Sequence, residues 1–329
     1  MTSSPLSVLC PIDFSEASFG ALRYAAAIVE SSHGQLMVMT VDDPLLASMD
    51  AARGHAWPSD QTRKDLESAV TDTLGLRAHG LDLHYHVPIG EPAPEILRVA
   101  AERHVDLIVM SSHGLTGVRK LFFGSTTERV LRRTPVPVLV TRPGDRGPME
   151  PSDVASFVGR ILVPIDFTGG PAHQVKVASA VADRLASGLL VTHVVEPTRL
   201  PFPRRADGPR LDAERRAQAQ ETLDALVADH APGDRVETLV AYGDPAEEIV
   251  RIAKDRHAGL IVMPLSIDRA RGALVGSVTY RVLCLANSLV LALPAATVTP
   301  TAVEQNFSSA RHWHYPASGI DSSAIVPPP

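Results

Sequence analysis

The sequence predicts an α/β chain written twice: two tandem domains, each a five-stranded parallel sheet with helices on both faces. Three observations predict it. Short apolar runs, of the kind shown by strands buried on both faces, alternate with segments whose apolar residues recur at helical spacing. The chain also repeats itself. Val8-Leu9-Cys10-Pro11-Ile12-Asp13-Phe14-Ser15 returns as Ile161-Leu162-Val163-Pro164-Ile165-Asp166-Phe167-Thr168, a shift of 153 positions (13 to 166), and the same shift carries Gly90-Glu91-Pro92-Ala93 onto Gly243-Asp244-Pro245-Ala246 and Leu107-Ile108-Val109-Met110 onto Leu260-Ile261-Val262-Met263. Three blocks holding one offset mark a duplication. Finally, hydrophobic residues at 45% against 21% charged leave enough apolar surface for two cores in 329 residues. The domains expected are residues 1–142 and 159–296, joined by a Pro-, Gly- and Ser-containing linker at 143–158. Residues 297–329, rich in Thr, Ser, Ala and Pro, are expected to form a disordered tail.

Within the first unit, residues 6–12 form an apolar run that predicts a central strand. Ser15 is placed to cap a helix in which Phe19, Leu22, Ala26 and Val29 share a face, and Gly34 suits its C-terminal stop. Residues 35–41 predict a second strand, and Leu66, Val70 and Leu74 a helix over 59–76. Leu81, Leu83, Tyr85 and Val87 alternate with polar neighbours, the pattern of a strand with one wet face. A helix over 92–103, a strand over 106–110, a helix over 125–133 and a strand over 136–140 complete the order βαβαβαβαβ, which calls for a doubly wound parallel sheet. Pro135 and Pro137 flank Val136, and proline is tolerated mainly on edge strands. The last strand is therefore expected at a sheet edge. The second unit ends likewise in Leu289-Val290-Leu291-Ala292-Leu293, so the two edges can pair within one chain and remove both.

Composition excludes several function classes. Thirty-one Lys and Arg against 37 Asp and Glu leave a net charge of −6, which argues against a nucleic-acid partner. Two cysteines, Cys10 and Cys284, without Cys-x-x-Cys spacing indicate neither a disulfide framework nor a zinc site, and they read as core fillers. The first residues lack a basic region and reach Asp13 before an apolar signal core could form, so a cytoplasmic protein is expected. Residues 282–303 carry no charged side chain, yet they contain Asn287, Ser288, Pro294 and Pro300. A helix end followed by a strand at 289–293 explains them, and no membrane span is expected.

Ligands of open α/β sheets bind beyond the carboxyl ends of the strands. In the first unit that place is supplied by Pro11-Ile12-Asp13 and by Met110-Ser111-Ser112-His113-Gly114, then nine residues, then Gly124-Ser125-Thr126. Gly114 permits close backbone approach. Gly124, Ser125 and Thr126 open a helix whose unpaired amides favour an anion, and Arg119 and Lys120 can reach phosphate oxygens. No Gly-Lys pair occurs, so this cradle lacks a Walker lysine.

These motifs, Pro11-Ile12-Asp13-Phe14-Ser15, Gly90-Glu91-Pro92-Ala93 and Ser111-Ser112-His113-Gly114-x9-Gly124-Ser125, resemble the universal stress protein family in tandem form. The resemblance implies flavodoxin-like (Rossmann-like) domains, ATP as the ligand with or without Mg²⁺, and dimerisation through the last strand, which in a tandem chain can join its two halves; whether the chain also forms a homodimer is left open. It further implies that Asp13 contacts the adenosine, that Val41 lies against the base, and that Gly114, Gly124, Ser125 and Thr126 hold ribose and phosphates. Ser111 stands where the family has the first loop glycine. The second unit departs further. Pro264-Leu265-Ser266-Ile267 replaces the early glycines, and the loop to Gly276-Ser277 is one residue shorter. Of that site only Asp166, Gly276 and Ser277 remain, and weak or no binding is expected there.

Several residues keep two readings. Asp13 and Asp166 suit either Mg²⁺ or capping of the following turn. His113 suits acid–base work near phosphate or a hydrogen bond to the loop backbone. His84 and His86, on one strand face with Asp82, have the spacing of a two-residue metal clamp, but no third ligand is identifiable, so no metal site is expected. Arg204, Arg205, Arg210, Arg215 and Arg216 are interleaved with acids and read as a solvated helix entry. His312-Trp313-His314-Tyr315 carries no assigned role. The function expected is a nucleotide-binding stress-response regulator without catalytic residues. The alternatives are a slow ATP hydrolase or phosphoryl-transfer enzyme using His113 or Asp13 with Arg119, and a nucleotide-free interaction scaffold.

Overall fold

A computed structural model of the chain describes residues 5–45, 58–112, 124–142, 144–167, 170–198, 208–265 and 277–294. The first unit contains β1 (Ser7–Pro11), α1 (Glu16–Ser32), β2 (Gln35–Met39), α2 (Pro58–Leu74), β3 (Asp82–His86), α3 (Pro92–Glu102), β4 (Leu107–Ser111), α4 (Ser125–Leu131) and β5 (Val138–Thr141). A linking helix, α5 (Pro151–Phe157), precedes the second unit: β6 (Arg160–Pro164), α6 (Pro171–Leu185), β7 (Gly188–Val195), α7 (Gly208–His230), β8 (Val236–Tyr242), α8 (Pro245–Asp255), β9 (Leu260–Pro264), α9 (Ser277–Leu285) and β10 (Leu289–Leu293).

The described strands form one ten-stranded sheet in the order β3-β2-β1-β4-β5-β10-β9-β6-β7-β8. Pairing is parallel within each unit and antiparallel at the centre, where Val140 faces Val290 and Leu139 faces Leu291. β5 is thus the edge of its own five strands, but its outer side is covered by β10. Both prolines lie before the strand, and the Pro137 carbonyl still accepts from the Ile108 amide at 3.0 Å.

Strand side chains alternate between two cores. From β1, Val8 and Cys10 join the layer under α1, α2, α6 and α7, while Leu9 joins the layer under α3, α4, α8 and α9. β3 lies at one end of the sheet with Asp82 and His84 exposed and Leu83 and Tyr85 packed on the core. Neither cysteine is in a disulfide: Cys10 is fully buried, and burial pushes its thiol well above the usual range, while Cys284 is partly buried.

The repeat extends to the backbone. Among the described residues, non-glycine positions with positive φ come in pairs 153 apart: Phe14 (61°) and Phe167 (63°), His33 (50°) and Ala186 (51°), His104 (50°) and His257 (52°). His33, not Gly34, is the left-handed cap of α1. Gly34 serves close packing instead, because a Cβ there would stand 2.1 Å from the Leu6 carbonyl oxygen.

The linking segment is more structured than its composition implies. Glu150 and Asp153 form a reciprocal capping box at the start of α5. Asp145 accepts hydrogen bonds from Tyr24 Oη (3.0 Å), Arg142 Nε (2.8 Å) and the Gly147 amide (3.0 Å), which ties the segment to α1. A Cβ on Gly20 would meet the Asp145 carbonyl oxygen at 2.0 Å, so the strap crosses α1 in direct backbone contact. No helix among the described residues is long and apolar enough to cross a membrane. The expected tail and His312-Trp313-His314-Tyr315 lie outside the described residues.

Candidate functional site

The strand ends of the first unit surround a cavity of about 340 Å³, within the range of about 300–1,000 Å³ usual for small-molecule sites. It opens at the switch between β1 and β4, where the strand order reverses.

From β1 come Pro11, Ile12 and Asp13. The Ile12 amide donates to the Met39 carbonyl (2.8 Å), and the left-handed Phe14 then turns the chain back into α1. Asp13 Oδ1 accepts from the Ser15 amide (3.2 Å) and hydroxyl (2.5 Å), and the Ser15 Oγ accepts from the Ser18 amide (3.2 Å). The Asp13 carboxylate therefore caps its turn while it lines the cavity. β2 contributes Met39, Thr40 and Val41 at its end. Burial pushes the next carboxyl, Asp42, upward, and its hydrogen bond with Thr62 partly offsets this. β4 contributes Met110 and Ser111. Two contacts tie its end to the start of α4: Thr127 Oγ1 donates to the Ser111 carbonyl (2.8 Å), and the Gly124 amide donates to the Ser112 carbonyl (2.8 Å). They place Gly124, Ser125 and Thr126 on the wall of the cavity that Asp13 also lines. Gly124 itself has φ −60° and ψ 130°, a conformation open to any residue.

The structure thus brings together Pro11, Ile12, Asp13, Val41, Met110, Ser111, Gly124, Ser125 and Thr126. His113, Gly114 and Arg119, with Lys120, lie outside the described residues. Sequence reasoning missed Ser18, Met39, Thr40, Pro92, Ile96 and Thr127, all of which line the cavity. Met39 and Thr40 adjoin Val41, so the strand end could have found them. Ile96 shares a helical face with core residues and carried no separate signal.

The second unit has a counterpart of about 360 Å³ with different chemistry. The frame is repeated: Thr279 Oγ1 donates to the Pro264 carbonyl (3.1 Å), as Thr127 does to Ser111. Asp166 lines the cavity and is exposed. Ser277 begins α9, and Gly276 lies outside the described residues. Where the first unit has Thr40, the second has His193. Its ring packs on Phe167 (centroids 4.4 Å apart), and its Nδ1 stands 2.7 Å from the Ile165 carbonyl, which fixes Nδ1 as the donor. Pro264 replaces Ser111 and removes an amide donor, and Pro171 replaces Ser18. Arg215 lines the wall, where it donates to the Glu196 carbonyl (2.9 Å) and the Thr198 hydroxyl (3.0 Å). Hydrogen bonds from Thr198 and Tyr242 hold the nearby Asp212 carboxyl below its usual range.

Arg216 stacks over the Tyr242 ring at 5.4 Å, and Arg210 pairs with Glu214. Arg204 and Arg205 lie outside the described residues. His84 pairs with Asp82 (3.1 Å), and among the described residues no group of three or more His, Cys, Asp or Glu is arranged to hold a metal ion.

Comparison with known proteins agrees with this architecture. The model of the universal stress protein family matches residues 6–142 and again 158–294. A universal stress protein of Mycolicibacterium smegmatis is 26% identical over 299 residues, which cover 85% of this chain and 94% of that one. A shorter one from Methanocaldococcus jannaschii is 25% identical over 151 residues, 41% of this chain and 93% of its own length. Among solved structures, a universal stress protein from Archaeoglobus fulgidus aligns with a TM-score of 0.60 at 20% identity, over 88% of this chain and 96% of that one. A Pseudomonas aeruginosa protein of unknown function aligns at 0.62 and 17% identity, over 93% and 96%. These two share the fold. With the family model matched twice, end to end, over the repeat that strands and turns also display, the chain belongs to the universal stress protein family in its tandem form.

Proposed function

We infer that the chain is a nucleotide-binding stress-response regulator of the cytoplasm, in which the first unit holds ATP and the second does not. The observation that carries this reading is the convergence of three strand ends and the first turn of α4 on one cavity with two kinds of wall. Met39, Val41, Ile96 and Met110 offer an apolar slot for a base. Ser125 and Thr126 offer hydroxyls and first-turn amides, which no intrahelical carbonyl takes, to phosphate oxygens. Asp13 stands on the β1 side for the ribose or for Mg²⁺ bound with the phosphates. The loop carrying His113, Gly114 and Arg119 joins the two sides in sequence and supplies further donors to the same ligand. Asp13 Oδ1 is engaged in its own turn, which supports a holding role over that of a general base.

In the second unit, the imidazole of His193 stands at the Thr40 position and Pro264 at the Ser111 position, which supports a cavity altered away from nucleotide. That unit then serves as the pairing partner: the β5–β10 junction does within one chain what a strand-paired dimer does with two. Equilibrium dialysis of the full chain against labelled ATP tests the reading. One saturable site per chain is expected. No saturable uptake would overturn the nucleotide claim, and two equivalent sites would overturn the assignment of roles to the units.

A further inference from the structure

We propose that the cavity of the second unit is a binding site in its own right, taking an α-amino acid with an aliphatic side chain. Its polar lining is built differently from that of the first. Among the described residues, the first cavity is lined by one charged side chain, Asp13, whereas Asp166, Glu196 and Arg215 line the second beside His193. Glu196 follows a longer strand: β2 stops at Met39, the counterpart of Thr192, and β7 continues to Val195. β6 and β7 are neighbours, with Pro164 opposite Thr192, so Asp166 and His193 stand at adjacent strand ends.

The bonding capacity left over in this lining decides the ligand class. Arg215 makes all its contacts through Nη1, to the Glu196 carbonyl, the Thr198 hydroxyl and, at 3.6 Å, the Asp212 carboxylate. These anchor the guanidinium and leave its Nε–Nη2 edge, the edge that pairs with a carboxylate through two parallel bonds, open. Among the described residues, the Glu196 carboxylate accepts no hydrogen bond and joins no ion pair. His193 gives its Nδ1 proton to the Ile165 carbonyl, so Nε2 of the neutral ring is an acceptor. Elsewhere arginines and acids that share a surface pair directly, as Arg251 does with Glu248 and Asp255, and Arg281 with Asp244 and Glu247. Arg215 and Glu196 line one cavity and stay unpaired with each other. A ligand bearing a carboxylate and an ammonium joins them, whereas a bare anion meets two carboxylates and a bare amine meets the guanidinium. The three N–H donors of an α-ammonium match Glu196, His193 Nε2 and Asp166, whose carboxylate has about four lone-pair sites. Val194, Ile249, Met263 and Val278 form the apolar wall for an aliphatic side chain. The two cavities share no lining residue, so this ligand binds whether or not ATP fills the first.

Equilibrium dialysis of the full chain against labelled L-leucine, without nucleotide, tests this. The comparison probes are 3-methylbutylamine, which lacks the carboxylate, and 4-methylpentanoate, which lacks the ammonium. One saturable leucine site per chain is expected, with each truncated probe at least about tenfold weaker, the size of one lost charged hydrogen bond. Arg215→Gln should weaken leucine about tenfold without weakening the amine. Glu196→Gln, at a carboxylate with no partner to lose, should weaken leucine about tenfold without weakening 4-methylpentanoate. Intermolecular NOEs from leucine to the methyl groups of Val194 and Ile249 locate the ligand without any variant. Absence of saturable leucine uptake, uptake of either truncated probe equal to that of leucine, equal loss of all three probes in Glu196→Gln, or NOEs to Val41 and Ile96 of the first cavity instead would each overturn the proposal.

Discussion

Replacing Gly124 by Asp separates ligand binding from folding in a way few substitutions at a binding site can. Gly124 is the N-cap of α4 and sits at φ −60°, ψ 130°, so a Cβ meets no backbone strain. Asp is a better N-cap than Gly by a few tenths of a kcal/mol, and the Gly124 amide keeps its bond to the Ser112 carbonyl. Stability should therefore hold or rise slightly. The cavity should change sharply, because a fixed carboxylate enters the wall assigned to phosphate. Two unit charges about 5 Å apart repel by about 2–3 kcal/mol at an effective dielectric of about 20–40, which lowers ATP affinity roughly 30- to 150-fold. Labelled-ATP dialysis at several salt concentrations, run beside a thermal melt, reads both quantities. Binding that survives unchanged in a variant with an unchanged melt would refute the placement of phosphate at α4.

Three other substitutions probe the frame. Gly259→Ala puts a Cβ 1.7 Å from the Phe157 carbonyl oxygen, against backbone that has little room to move. A loss of about 3 kcal/mol is expected in urea melts, and no loss would mean that α5 is not docked as described. Tyr24→Phe removes the 3.0 Å bond to Asp145, while Arg142 and Gly147 keep the carboxylate satisfied. Its cost should be about 1 kcal/mol, and a cost several times larger would show that the strap depends on the phenol alone. Burial, with Arg103 and Arg98 nearby, holds His86 below the ordinary imidazole value of 6.5, despite Glu95 and Glu102. The unfolded chain then takes the proton more readily, so stability should fall as pH drops from about 6.5 through the lower folded value. His86→Gln should flatten that part of a melting series, and an identical slope in the variant would refute the assignment.

Much of the fold could be read from individual segments because each carried its own signal. Val8-Leu9-Cys10 alternate between two cores, and a run apolar on every residue is what such a strand needs. Ser15 caps α1 as its position before the apolar face requires. Gly34 shows the limit of this reasoning: the sequence marked a glycine at the helix end, but the left-handed residue is His33, and the glycine answers to Leu6, the residue just before β1. The linker misled for a similar reason. Its Pro, Gly and Ser content is that of a loop, yet Pro151 suits the first turn of a helix, and Gly147 is needed where the chain meets Gly20.

The candidate cavity divides along the same line. Asp13 and Gly124-Ser125-Thr126 announced themselves by motif, whereas Ser18 and Ile96 entered only when the strand ends and the helices beside them were set side by side. His193 makes the point for the second unit, since the missing glycines indicated a degraded loop but not that an imidazole packed on Phe167 lines the counterpart cavity.

The amino-acid sequence by itself determined the α/β class and the duplication, and it pointed to the strand ends where the structure has a cavity. Periodicity and repetition are properties of the chain in one dimension. Only the tertiary structure decided that β5 and β10 close the sheet on each other, and that Asp166, His193, Glu196 and Arg215 line one cavity. Those features are distances between residues far apart in the chain, and they follow from how whole layers pack rather than from any local pattern.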